Sequence, residues 1–149
     1  MLFRSSRLWF ARNPAPDAGA WPAIPSLEGR AHRAFGELYG WYRDHADELY
    51  PINRDAAAMP LSAQLATETG NRMLAEALVA GHAGAGTDGV DGGGRLLRAV
   101  AGHLVDFMTW RSFAVEQGLT DREAVDVAVR MLTAIGPGGP RRGAIGPGS

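Results

Sequence analysis

The stretch "DFMTWRSFAVEQGLTDREAVDVAVRML", Asp106 to Leu132, decides the reading of this chain. Its first half is crowded with aromatics and continues an apolar pattern that starts near Arg95. Gly118 stands where a helix C-terminus wants a residue without a Cβ. Thr120 and Glu123 then have the spacing of a capping box. The stretch predicts a long helix, about Arg95–Gln117, a tight turn, and a last helix from Asp121 to about Ile135.

Both helices carry more apolar surface than one packing face uses. On the last helix, Ala124, Val125, Val127, Ala128, Val129, Met131, Leu132 and Ile135 cover over half the circumference. A helix packed on one side needs a stripe of ~100° or somewhat more. On the longer helix, Leu96, Leu97, Val100, Leu104, Phe107, Met108, Ala114 and Val115 form the main arc. Trp110 and Phe113 fall outside it, toward the polar side. A second copy of the chain is the economical cover, with an antiparallel helix pair from each subunit in a four-helix interface. Val105, Phe113, Val127, Ala128, Met131, Leu132 and Ile135 are the candidate interface residues. The other possibility is that helices of the same chain do the covering.

Outward from this stretch, periodicity gives three further helices. The first runs from about Leu27 to Ala46, with Ala31, Ala34, Phe35, Leu38, Trp41, Tyr42 and Ala46 on one arc and Arg33, Glu37, Arg43 and Asp44 opposite. A short element, about 47–59, starts at the N-cap candidate Asp47 and is ended by Pro60, with Pro51 predicting a kink or a delayed start. The third runs from Leu61 to Ala80, with Ala63, Ala66, Met73, Leu74, Ala77 and Leu78 on its apolar side. Prolines at 14, 16, 22 and 25 make the stretch from Arg12 to Ser26 a loop. Glycines make 81–94 a flexible connector and leave 137–149 a disordered tail. No segment reads as a strand. The expected fold is all-α, a bundle of about five helices in one domain over 1–136, whose last two helices form the dimer interface.

Composition bounds the function. The chain has 149 residues, 46% of them hydrophobic, enough for one domain with a real core. Its net charge of −1 gives no bulk attraction to nucleic acid or anionic membrane. All 15 basic side chains are arginine. With no cysteine there is neither a disulfide framework nor thiolate chemistry. No apolar run approaches the ~20 residues of a membrane span. The opening "MLFRSSRLWFAR" admits a transit-like reading, but its apolar run, Leu8 to Ala11, falls short of a secretory core of ~7–15 residues. It is read as a helix end.

No catalytic or cofactor motif stands out. His103 and Asp106 are three apart, which suits a hydrogen-bonded pair, but as a dyad they lack a nucleophile. "RDHADE" around His45 lacks further metal ligands at helical spacing. No phosphate loop, dinucleotide fingerprint or G-x-S-x-G elbow is present. His45 lies within the apolar arc, as a core histidine or a ligand contact. Arg111 lands inside the apolar arc of the long helix. It is either a snorkelling side chain or a paired charge in the core or at a cavity wall, since a buried guanidinium must find an acceptor.

"ELYGWYR" (Glu37 to Arg43), "NRDA" (Asn53 to Ala56) and "DFMTWRSFAVEQGLTDREAV" (Asp106 to Val125) together resemble the C-terminal regulatory domain of TetR/AcrR-family transcriptional regulators. "FARNPAPDAGAWPAI" (Phe10 to Ile24) is similar to a loop in one branch of that family. The blocks span about residues 8–134, and none is a catalytic signature. The resemblance implies a cytoplasmic effector-sensing and dimerisation domain, not an enzyme, with no cofactor and no metal. Its partners would be a second copy and a small apolar or aromatic effector, with no membrane. Phe35, Tyr39, Tyr42, His45, Met73, Phe107, Trp110 and Arg111 are the candidate ligand residues. Family members carry an N-terminal helix-turn-helix, which is not found here, so DNA is a partner only through such a segment. The alternative is an interaction-only module that pairs with itself or with full-length relatives, binding neither ligand nor DNA.

Overall fold

The computed structural model describes residues 8–83 and 92–136. The expected tail (137–149), most of the expected connector (84–91) and the first seven residues lie outside the described residues. Every regular element described is helical, and among the described residues there is no strand.

A short helical stretch at 8–12 leads into the proline-rich loop, which contains a 3-10 turn, Ala18–Ala23. Asp17 caps this turn by accepting from the Gly19 N–H at 3.0 Å. Pro22 is accommodated because a single turn needs little from its missing N–H. The turn carries Trp21, which is fully buried and donates from Nε1 to Glu37 at 3.2 Å. Sequence reading treated this segment as loop and missed its anchor.

Helix α1 spans Leu27–Asp44. Ser26 caps it by accepting from the Gly29 N–H at 3.0 Å. Its buried side holds Ala31, Ala34, Phe35, Leu38 and Tyr42 of the expected arc together with Arg30 and Tyr39, while Trp41 is half-buried and Ala46 belongs to the next helix. It stops at His45, whose φ of −122° and ψ of 20° break the helical run before Ala46. Helix α2, Ala46–Arg54, follows directly. Pro51 sits inside it without a delayed start. Asp47 lies in its first turn rather than at its cap. A 3-10 turn, Ala56–Ala58, closes this segment, and Pro60 leads into helix α3, Leu61–Val79.

Helix α4 spans Gly92–Leu104, and α5 spans Phe107–Arg111. The single helix expected over 95–117 is therefore two. The break at Val105 and Asp106 is built by side chains. Asp106 takes extended dihedrals and accepts from the Met108 N–H at 2.8 Å, capping α5. The carbonyls orphaned at the end of α4 are taken by two tyrosines of α1. Tyr39 donates to Leu104 O at 2.7 Å, and Tyr42 donates to Val105 O. The break also resets the helical phase, so a wheel drawn through 95–117 misassigns its second half. Trp110, expected outside the arc, is 2% exposed, while Val115, expected on it, is 55% exposed.

After Arg111 the chain widens into a π-turn, Ser112–Glu116, closed by Gln117 N–H to Ser112 O at 2.8 Å. Gly118 follows at φ +69°, and Leu119 N–H returns to Phe113 O at 2.9 Å. Helix α6, Asp121–Ile135, opens with the expected capping box of Thr120 and Glu123. Packing pairs α1 with α6, α3 with α4, α4 with α6, and α2 with α5. The 3-10 turn 18–23 rests on α1 and α3.

Arg30 ties the loop to the bundle. It is 3% exposed, yet every nitrogen of its guanidinium has an acceptor, and each acceptor is a backbone carbonyl. Nε and Nη2 donate to Ile24 O at 3.1 and 2.9 Å, and Nη2 also to Pro22 O at 3.2 Å. Nη1 donates to Ala80 O at 2.6 Å and Leu78 O at 3.4 Å. These carbonyls end the 3-10 turn and α3, where a cation is favoured. Burial pushes this guanidinium below its ordinary pKa.

Candidate functional site

The large rings of α1, α5 and the start of the chain form one aromatic cluster. Tyr42 lies edge-on to Phe107 with ring centroids 5.4 Å apart, and Phe107 lies 5.5 Å from Trp110. Phe35 and Tyr39 continue the cluster along α1, 5.3 Å apart. On the other side Trp41 meets Trp9 at 5.9 Å, and the His45 ring stands 5.2 Å from each. Spacings of this size are those of favourable edge-to-face and tilted pairs.

Two donors in this cluster are orphaned. Nε1 of Trp41 and Nε1 of Trp110 are buried with no hydrogen-bond partner among the described residues. A buried unpaired N–H costs about 1–3 kcal/mol, which a ligand acceptor would recover.

The third part is a cation on an aromatic plate. The Arg111 guanidinium lies 3.9 Å above the centre of the Tyr50 ring, and Arg54 approaches the same ring at 5.5 Å. Arg111 donates from Nη1 to Glu116 at 3.1 Å. The π-turn carries Glu116 to this place, five residues on from Arg111. Arg111 is thus a paired charge, half-buried with 22% of its side chain exposed.

Phe35, Tyr39, Tyr42, Phe107 and Trp110, all expected to bind ligand, are core residues in one cluster. His45 joins at its edge, and Arg111 beside it. Met73 does not: it is 68% exposed on α3, where the packed side is set by Ala75, Leu78 and Val79. Trp9 and Tyr50 were not singled out. Trp9 sits in an opening segment too short for periodicity to orient, and Tyr50 beside a proline that obscured its helix. Among the expected interface residues, Val105, Ala128 and Leu132 are fully covered by their own chain and belong to its core. Phe113 and Val127 are half-buried, and Met131 and Ile135 are exposed.

His103 and Asp106 line a common cleft of about 410 Å³ with Thr109, Ser112 and Phe113. The Asp106 carboxylate is already engaged by Met108 N–H and, at 3.1 Å, by Asn71 Nδ2. The link between His103 and Asp106 is a backbone one, at 3.3 Å, rather than the expected side-chain pair. A second cleft, about 460 Å³ between α1 and α6, is lined by Tyr39, Gly36, Gly40, His32 and Asp126 among others. Among the described residues, no group of three or more His, Asp or Glu could hold a metal ion. No described helix is long and apolar enough to cross a membrane.

No family model matches the chain, and no curated protein or solved structure matches it.

Proposed function

We propose that this chain is the effector-sensing and dimerisation domain of a TetR/AcrR-like cytoplasmic transcriptional regulator. The observation that carries the proposal is the second apolar face of α4 and α6. With the core side of α6 filled by Ala124, Ala128, Val129 and Leu132, Met131 and Ile135 remain 40% and 41% exposed. On α4 Leu96 is 50% exposed while Leu97 and Ala101 fill the core. Exposed apolar side chains on two helices that pack together are the material of an interaction site. A second copy presenting the same face covers it isologously. The aromatic cluster supports the sensor half of the reading: apolar walls with few polar groups are the make-up of small-molecule sites. Light scattering on the purified chain tests the dimer, and a folded monomer at micromolar concentration would refute it. A thermal-shift screen with aromatic compounds tests the sensor: a ligand at a hundred times its Kd adds about 2.7 kcal/mol of stability.

A second reading, an interaction-only module, draws on the mutual packing of Tyr42, Phe107 and Trp110, whose rings contact one another as core residues do. It is the better account if the dimer forms and no compound shifts the melting temperature.

A further inference from the structure

Among the described residues, two arginines are buried or half-buried, Arg30 and Arg111, and they are treated in opposite ways. Arg30 spends every nitrogen of its guanidinium on backbone carbonyls. Arg111 has one face on the Tyr50 ring and one hydrogen bond, to Glu116; its remaining N–H groups have no protein partner among the described residues. A guanidinium offers five donors in a planar fork, and that fork matches the two oxygens of a carboxylate. The plate beneath it holds the fork in orientation, so little freedom is lost when an anion docks. Arg54, above the same ring, is occupied in-plane by Asp55 through two contacts of 2.9 Å, so it adds charge nearby without competing for the fork. Trp110, the preceding residue on α5, is 2% exposed with its Nε1 unpartnered among the described residues, so its indole N–H signal reports on this part of the helix.

Glu116 is the protein's own carboxylate on this fork. It is presented by a π-turn, a feature frequent at functional sites. Its side chain is 55% exposed and makes one contact with Arg111, so it is easily displaced.

We propose that Arg111 on its Tyr50 plate is the recognition point for a small aromatic carboxylate, with Glu116 as the internal competitor that such a ligand displaces. This names the ligand class of the sensor reading above and rests on it. The aromatic part of the ligand follows from the sensor reading, its carboxylate from the fork.

The test uses benzoate and the full chain, followed by the indole N–H signals in a proton–nitrogen NMR spectrum, with Trp110 assigned from Trp110→Phe. Benzoate is expected to shift the Trp110 signal saturably in the millimolar range. Glu116→Gln should bind at least threefold more tightly. Arg111→Met should abolish the shift. Arg111→Lys, which keeps the charge and loses the fork, should weaken it at least fivefold and guards against misfolding of the methionine variant. Benzamide, which has the ring without the charge, should not bind. Saturable binding that survives Arg111→Met or is unchanged in Glu116→Gln overturns the proposal. So does the absence of any saturable shift in both wild type and Glu116→Gln. In either case the dimer and a response to uncharged aromatic compounds in the thermal-shift screen would remain as separate measures of the sensor reading.

Discussion

Arg30 is the residue whose removal should be felt most. Arg30→Met keeps much of the volume but removes the donors to the carbonyls of Pro22, Ile24, Leu78 and Ala80. An unsatisfied carbonyl costs about 1–3 kcal/mol where water cannot reach it, and these are part-buried with Leu78 O enclosed, so a loss on the order of 3 kcal/mol is expected in urea unfolding. Arg30→Lys should recover little, because a single ammonium cannot span acceptors on two sides. An unchanged urea midpoint in both variants would show that the clamp contributes nothing. The residue was not legible in the sequence. On the α1 wheel it sits at the rim of the apolar arc, and its acceptors lie six to eight and about fifty residues away. Periodicity reports which side of a helix is buried, never which loop will be laid against it. Arg111 reached the apolar arc on a wheel that the break at Asp106 puts out of phase, so the sequence pointed to the residue without giving its surroundings. Met73 was misread for a different reason: α3 is only weakly amphipathic, so several faces fitted its pattern.

At the scale of elements, the join between α4 and α5 is made by α1. Tyr39→Phe and Tyr42→Phe each remove the donor for one orphaned carbonyl, and each should cost about 1–3 kcal/mol in chemical unfolding. The double variant is expected to lose less than the sum, since both hydroxyls hold the same break. An exactly additive pair would separate the two bonds. Burial raises the pKa of both phenols, and the Asp106 carboxylate adds to the effect at Tyr42. Their unfolded value is about 10. A phenol whose pKa is raised by folding contributes stability that is fully present below the unfolded value and is lost as pH rises above it. The chain should therefore unfold on the alkaline side of pH ~10, with phenolate absorbance from Tyr39 and Tyr42 appearing together with loss of helical circular dichroism. Phenolate formation by these two residues in a still-helical chain would contradict the burial. Helix ends were legible wherever chemistry marks them, as at Ser26, Thr120 and Gly118. The break at Asp106 was not, because an Asp inside an apolar run reads as an interruption of pattern rather than as a cap. The carbonyls that the break frees just before this cap are taken by a pair of tyrosines more than sixty residues earlier.

For the whole molecule, the all-α architecture followed from periodicity, and the excess of apolar surface on the last helix resolved into two sides of unequal status. Ala128 and Leu132 are enclosed by the chain itself; Met131 and Ile135 are not. Sequence patterning could not divide them, since both sides are equally apolar and the paths of α1 and α4 decide which is covered. The dimer proposal therefore makes a directional prediction. Met131→Asp should convert the dimer to a folded monomer in light scattering, with helical content kept. Leu132→Asp should instead unfold the chain, as expected for a charge forced into a closed core. If Met131→Asp leaves the mass unchanged, that face is not where copies meet. Leu65, 51% exposed on α3, serves as the control: Leu65→Asp should alter neither mass nor melting.

The guanidinium of Arg30 also has a consequence for how the chain comes apart. Through one side chain it joins a loop near the start of the chain to the carbonyls at the end of α3, roughly fifty residues on. Release of either segment strands part of the same cation, so their openings are coupled. In native-state hydrogen exchange the amide of Ile24, bonded to Trp21 O, and the amide of Ala83, bonded to Val79 O, should share one opening free energy and one denaturant dependence. A proline-rich loop, ordinarily the first part of a protein to exchange, would then report on the fraying of a helix on the far side of the sequence.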